Sequence, residues 1–200
     1  EIRALGGVTT YLSLCTAVEE AWLRELFPED FTEVSAPRYD PTLRRVLARV
    51  ERRFRDLVLE TVERDETPSD AASRLLAEEV VAGRLELEKW DGQVDGWIRR
   101  VNFLAKHCPE LGIAPFDEAG RRMVIEEVCA GAVAYRDIRE RPVMGIVRGW
   151  LTHEQAMALE SYCPEKIVLP RKKHPARIEY TTDGEAEVEA TVQELYDFPG

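Results

Sequence analysis

The chain has 200 residues, 44% of them hydrophobic and 32% charged, a composition that excludes disorder and allows one sizeable core or two modest ones. A net charge of −11 makes the chain as a whole repel phosphate backbones, which excludes indiscriminate nucleic-acid binding. No apolar run approaches the ~18 residues that cross a bilayer, and no signal-peptide pattern opens the sequence, so no membrane partner is expected. An opening Glu1 in place of Met reads as a processed form or an excised piece of something longer. Cysteines at 15, 108, 129 and 163 form no Cys-x-x-Cys pair, which suits neither a zinc site nor a disulfide scaffold and reads as cytoplasmic thiols.

In chain order, residues 1–65 carry mostly strand signals. Val8 to Cys15 is rich in β-branched and aromatic residues after the turn Gly6-Gly7. Val18 to Phe27 reads as a short helix stopped by Pro28, with Trp22, Leu23, Leu26 and Phe27 on one packed face. Val34–Tyr39, the turn Asp40-Pro41-Thr42 and Leu43–Phe54 predict a hairpin. Its second arm alternates Val46, Ala48 and Val50 with Arg45, Leu47, Arg49 and Glu51, the pattern of a half-buried strand. Leu57 to Leu59 predicts one more strand.

Residues 66–151 change to a helical period. Thr67-Pro68-Ser69-Asp70 predicts a helix start with Thr67 as cap and Pro68 at the first position. Ala72, Leu75, Leu76 and Val80 then share a face, and Val94, Trp97, Ile98, Val101 and Leu104 repeat the stripe with Arg99, Arg100 and Lys106 outside it. A third helix follows Asp117, burying Val124, Ile125, Val128 and Cys129, and Pro142–Leu151 reads as a fourth. In residues 152–200, Thr152-His153-Glu154-Gln155 is a capping box that opens a short helix. Strands at Ile167–Leu169 and Ala176–Tyr180 flank a basic turn, and Val188–Tyr196 closes the chain as strand or helix.

Catalytic signals are missing. The sequence holds no Gly-x-x-x-x-Gly-Lys-Ser/Thr loop, no Gly-x-Ser-x-Gly elbow and no His-Glu-x-x-His helix. His153 reads as part of a capping turn and His107 as a helix C-terminal residue beside Cys108, while His174 has no partner at metal-ligand spacing. No catalytic residue and no metal site are therefore expected, nor is ATP hydrolysis by this chain alone.

Charge is the informative feature. Arg38 to Arg55 contains seven arginines against Asp40 and Glu51, and Arg171-Lys172-Lys173 with Arg177 forms a second basic island. Arginine supplies 22 of the 27 basic residues, and its planar fork suits phosphate and stacking contacts. Arg44, Arg45, Arg49, Arg171, Lys172 and Lys173 are the candidate nucleic-acid-binding residues, with Arg52, Arg53 and Tyr39 beside them. Pairing of these arginines with the 38 acidic residues is the competing expectation.

The segments AVEEAWLRELFPEDF (17–31), FRDLVLE (54–60), LLAEE (75–79), LEKWD (87–91), WIRRVNFLAKHCPE (97–110), KIVLPRKKHPARIEY (166–180) and VQELYDF (192–198) together resemble the C-terminal region of HrpB-type DExH/DEAH-box ATP-dependent helicases. Where that family usually has a Pro-Ser-Gly turn, this chain has the bulkier Pro170-Arg171-Lys172-Lys173-His174-Pro175. The resemblance implies an α+β chain with an OB-like, mostly β N-terminal part (1–65), a helical middle (66–151) and a small α/β C-terminal cap (152–200). It implies an accessory region that helps bind single-stranded nucleic acid, RNA favoured, or couples to the motor domains of the same polypeptide. ATP and Mg would belong to those motor domains and no cofactor to this chain. The alternative is a docking module with no nucleic-acid contact of its own, which salt dependence would separate from the first reading.

Overall fold

The computed structural model describes residues 2–4, 10–12 and 16–195, the first two stretches by backbone alone. Parts of the expected strand at Val8–Cys15, and the last residues of the closing element, lie outside the described residues. The fold is α+β, with the described chain dividing into two units: residues 1–37 with 48–65, and residues 38–47 with 66–200.

In the first unit β1 (Ile2–Ala4) and β2 (Thr10–Leu12) pair antiparallel, and α1 (Glu20–Leu26) leads through a single 3-10 turn into β3 (Phe31–Asp40). β4 (Arg45–Phe54) and β5 (Leu57–Asp65) complete a sheet of order β3-β4-β5. The hairpin forms where the sequence places it. Asp40 Oδ1 accepts from the Thr42 and Leu43 amides, each at 2.8 Å, which holds the turn. Arg55 takes a φ of 50° in the two-residue β4–β5 turn, the left-handed conformation that such short hairpin loops demand.

The expectation of a packed α1 face is overturned. Trp22, Leu26 and Phe27 are 52%, 68% and 43% exposed, and α1 buries no residue. Helical spacing puts side chains on one face but supplies nothing to cover them. Phe27 and Phe31 turn instead to Phe54, with ring centroids 6.4 and 5.0 Å away. The β4 alternation holds at Val46 and Val50, but Leu47 is buried as well.

The second unit carries the main core. Its helices are α2 (Asp70–Val81), α3 (Gly92–His107), α4 (Glu118–Cys129), the short α5 (Tyr135–Ile138) and α6 (Val143–Arg148), then α7 (His153–Tyr162). α2 packs on α4, α4 on α6, and α3 against α7. Leu76, Val94, Val101, Leu104 and Val128 are fully buried, as the 3.6-residue spacing predicts, and Ile138 joins them. Ser69, not Thr67, caps α2: its side chain accepts from Ala72 N at 3.2 Å, and Pro68 lies outside the helix. Thr152 and Gln155 form the expected capping box. Arg141 closes the C-terminal end of α4, donating to the Val128 and Ala130 carbonyls at 2.8 and 2.7 Å. The hairpin tip joins this unit through backbone bonds from Val46 N to Val133 O and from Tyr135 N to Arg44 O.

β6 (Lys166–Ile167), β7 (Ala176–Tyr180) and β8 (Ala186–Val188) form an antiparallel sheet, followed by α8 (Val192–Leu195). β7 packs on α3, with Ala176 and Tyr180 buried.

Gly120 permits one close approach in this unit. A Cβ there would meet Trp150 Cη2 at 2.9 Å, and Trp150 is fixed by its indole N–H donating to Ala114 O and by an edge contact with Phe116. Gly120→Ala gains up to ~1 kcal/mol of helix propensity but overpacks at a cost of about 1–3 kcal/mol. A lowered urea midpoint with an unchanged m-value is expected, and a raised midpoint would show that Trp150 yields freely.

Candidate nucleic-acid interface

The first basic island is split between the two units. Arg49 belongs to the first, Arg44 and Arg45 to the second. In the first unit the arginines meet acids. Arg49 Nε lies 3.1 Å from Glu51, Arg53 donates to the same carboxylate at 2.6 Å, and Arg52 lies 3.1 Å from Glu20 and 3.3 Å from Glu60. Hydrogen bonding from Arg53, with Coulombic help from Arg53 and Arg49, holds Glu51 below the ordinary carboxylate pKa against an opposing burial effect. Arg55 pairs with Asp30 at 2.6 Å. The competing expectation of pairing is met along this part of the hairpin.

At the tip, Arg44 is exposed, with a φ of 49° and its guanidinium 5.5 Å from the centre of the Tyr135 ring. Arg45 is half-buried, not on an open face as alternation suggests. Tyr39 is also half-buried, and burial above all raises its phenol pKa.

The second island sits on the turn between β6 and β7. Arg171 and Lys173 are exposed, and the Lys172 amide donates to Leu169 O at 3.2 Å to close the turn. Lys172 Nζ lies 3.6 Å from Glu194, whose own pKa is held down first by a backbone hydrogen bond from Thr191.

A cleft of about 990 Å³ opens in the second unit, and Lys172 is the one predicted site residue that lines it. Of its other cations, the sequence placed Arg177 in the second basic island but singled out none as a site residue. Arg99 comes from α3, Arg148 from the end of α6, Lys166 from β6 and Arg177 from β7. Lys166 and Arg177 stand opposite each other in the β6–β7 register, and Glu179 and Glu187 stand opposite each other in β7–β8.

Arg100 corrects the helical-stripe reading most sharply. Expected outside the α3 stripe, it is 4% exposed and also lines the cleft. Its Nε donates to Cys163 O at 2.8 Å, Nη1 to Glu165 and Nη2 to Glu160, each at 3.0 Å. A long side chain can reach across a helix to carbonyls that periodicity cannot foresee.

His107 ends α3, stacked 4.3 Å from Phe103, with Nε2 3.1 Å from Gly184 O. Burial pushes the Cys129 and Cys163 thiols up to about 11, which leaves both inert at neutral pH. Among the described residues no cluster of three or more His, Cys, Asp or Glu could hold a metal, and no helix is long and apolar enough to cross a membrane.

Residues 124–199 match the ATP-dependent helicase C-terminal family, HrpB_C. No curated protein matches the chain. Two solved structures share its fold. The E. coli DExH-box NTPase HrpB aligns over 90% of this chain and 22% of its own, with a TM-score of 0.58 at 16% identity. The Escherichia coli DEAH/RHA helicase HrpB aligns over 84% and 22%, also with a TM-score of 0.58 at 16% identity. The chain thus spans about a fifth of the length of the structures it resembles. Residues 124–199 thus resemble the C-terminal region of the HrpB-type helicases, and most of the chain shares the fold seen in the two solved structures.

Proposed function

We propose that the chain is an accessory region of an ATP-dependent helicase, RNA favoured, which helps hold the single strand while motor domains elsewhere in the polypeptide use ATP and Mg. The match over residues 124–199 carries this reading, because the matched stretch contains the basic turn with its exposed Arg171 and Lys173. The N-terminal sheets would serve as an OB-like platform, the kind of surface that combines cations with aromatic side chains. Arg44 beside Tyr135, and Arg49, would add phosphate contacts, although Arg49 must share its charge with Glu51.

The same polypeptide's motor domains are the proposed protein partner. Trp22, Leu26 and Leu57 are all more than half exposed, which favours an apolar docking role for the first unit. A labelled single strand tested by fluorescence anisotropy separates the two roles. Binding at 50 mM salt should weaken steeply by 200 mM, with a log–log slope of about −0.7 per phosphate engaged. Reversing Arg171 and Lys173 to Glu should weaken it further. No binding at 50 mM salt would leave docking as the function.

A further inference from the structure

Four cations in the cleft stand out by what they lack. Arg99, Arg148, Lys166 and Arg177 make no hydrogen bond or ion pair through their side chains to any described residue, in a protein with 38 acids to choose from. Arg100 and Lys172, which line the same cleft, are held by Glu160, Glu165 and Glu194. Like charges placed directly across two strands destabilise a sheet, and the Lys166–Arg177 pair is such a placement. An anion between them would turn that repulsion into attraction. We infer that this cleft grips the phosphate backbone of a single-stranded nucleic acid through Arg99, Arg148, Lys166 and Arg177, an inference that rests on the nucleic-acid reading above and gives it a site.

The chemistry of the cleft selects among anions. Three of the four cations are arginines, whose forked donors match phosphate oxygens in pairs. Glu179 and Glu187, opposed across β7 and β8, make the other end of the same sheet acidic. A peptide acidic along its whole length would be repelled there. A nucleotide carries its anion at one end and base N–H donors at the other, the N3–H of uracil among them, so it satisfies the cationic and the acidic ends together. Half-buried Met144 also lines the cleft and offers an apolar surface for a base face. Neither Arg148 nor Lys166 belongs to the basic islands, so the site depends on the fold, not on a run of charge.

The test measures anisotropy of a fluorescein-labelled 12-nucleotide oligo(U) on the full chain from 50 to 200 mM salt. Arg99→Ala with Arg177→Ala should weaken binding at least tenfold and flatten the log–log salt slope by about 1.4, the loss of two phosphate contacts. Lys166→Glu should weaken binding while leaving the melting temperature equal or higher, because it converts the like pair into an opposite one. If the double variant keeps both affinity and slope while reversal of Arg171 and Lys173 abolishes binding, the cleft is not the site and the nucleic-acid reading survives without it. If the wild-type chain binds no oligonucleotide at 50 mM salt, that reading falls and the cleft assignment with it. Decaglutamate binding as tightly as oligo(U) would overturn the inference in favour of an acidic protein segment.

Discussion

Arg100→Ala should lower stability by about 3 kcal/mol, one of the two largest losses expected for a single substitution here. The side chain is 4% exposed, and its Nε satisfies the carbonyl of Cys163, which is itself buried at the end of α7. Removing the donor leaves that oxygen without its partner, at about 1–3 kcal/mol. The vacated stem adds a cavity term. The ion pairs contribute less than their 3.0 Å geometry suggests, because the Glu160 and Glu165 side chains are 67% and 69% exposed and water screens them. For a chain of this size each kcal/mol moves the melting temperature by roughly 2–4 °C, so a fall of about 6–12 °C should be seen by circular dichroism. Arg100→Lys keeps a charge but loses the fork, and should fall between the two. A shift under 1 °C for the alanine variant would mean that the guanidinium does not tie α3 to the end of α7.

Arg100 also marks the limit of what periodicity reveals. The apolar stripe of α3 was legible because Val94, Val101 and Leu104 recur at helical spacing and burial rewards that spacing alone. A buried arginine obeys a different requirement, the supply of donors to a carbonyl and two carboxylates 60 to 65 residues away, and no local pattern encodes those partners. Trp22 fails in the opposite direction. Its apolar neighbours at i+4 and i+5 predict a shared face, but coverage of that face is a tertiary fact, and 52% of the side chain is exposed. Capping was nearly right: Ser69 and Thr67 offer the same hydroxyl chemistry two residues apart, and the amide of Ala72 decides between them.

The candidate site divides in the same way. Runs of charge are visible in any sequence, so the two islands were found, yet in the first unit Glu20, Glu51, Glu60 and Asp30 take up most of the hairpin arginines. Of Arg99, Arg148, Lys166 and Arg177 only Arg177 stood in a basic island, and their grouping was hidden because four elements contribute one each. Only the β6–β7 register sets Lys166 beside Arg177, and Arg99 reads as an ordinary solvent-facing residue of α3 until the sheet is placed next to it. Strand register is set by long-range pairing, and it carries information that neither local sequence contains.

Val46→Asp is the substitution from which the greatest loss is expected. Val46 is fully buried in the core of the second unit, and its amide donates to Val133 O at 2.7 Å beside the Tyr135-to-Arg44 backbone bond. A carboxylate there loses about 1.5 kcal/mol of apolar burial. It must also be either ionised without a partner or neutralised, and a pKa raised by ~3 units costs about 4 kcal/mol at pH 7. The sum, about 5.5 kcal/mol, corresponds to roughly 11–22 °C in melting temperature. The sign with pH is fixed by the raised folded-state pKa: the electrostatic part of the deficit relative to wild type is full at pH 7 and shrinks as pH falls towards the unfolded value of about 4. Val46→Thr, nearly isosteric and uncharged, should lose less and show no such pH dependence. Melting curves of wild type and both variants at pH 7 and pH 5 measure this directly. A melting temperature unchanged in Val46→Asp, with fast hydrogen exchange confined to the Val46 and Tyr135 amides, would show that the hairpin tip lifts off its helices at little cost. The packing of β4 against residues 133–135 would then be an accessory contact and not part of the core.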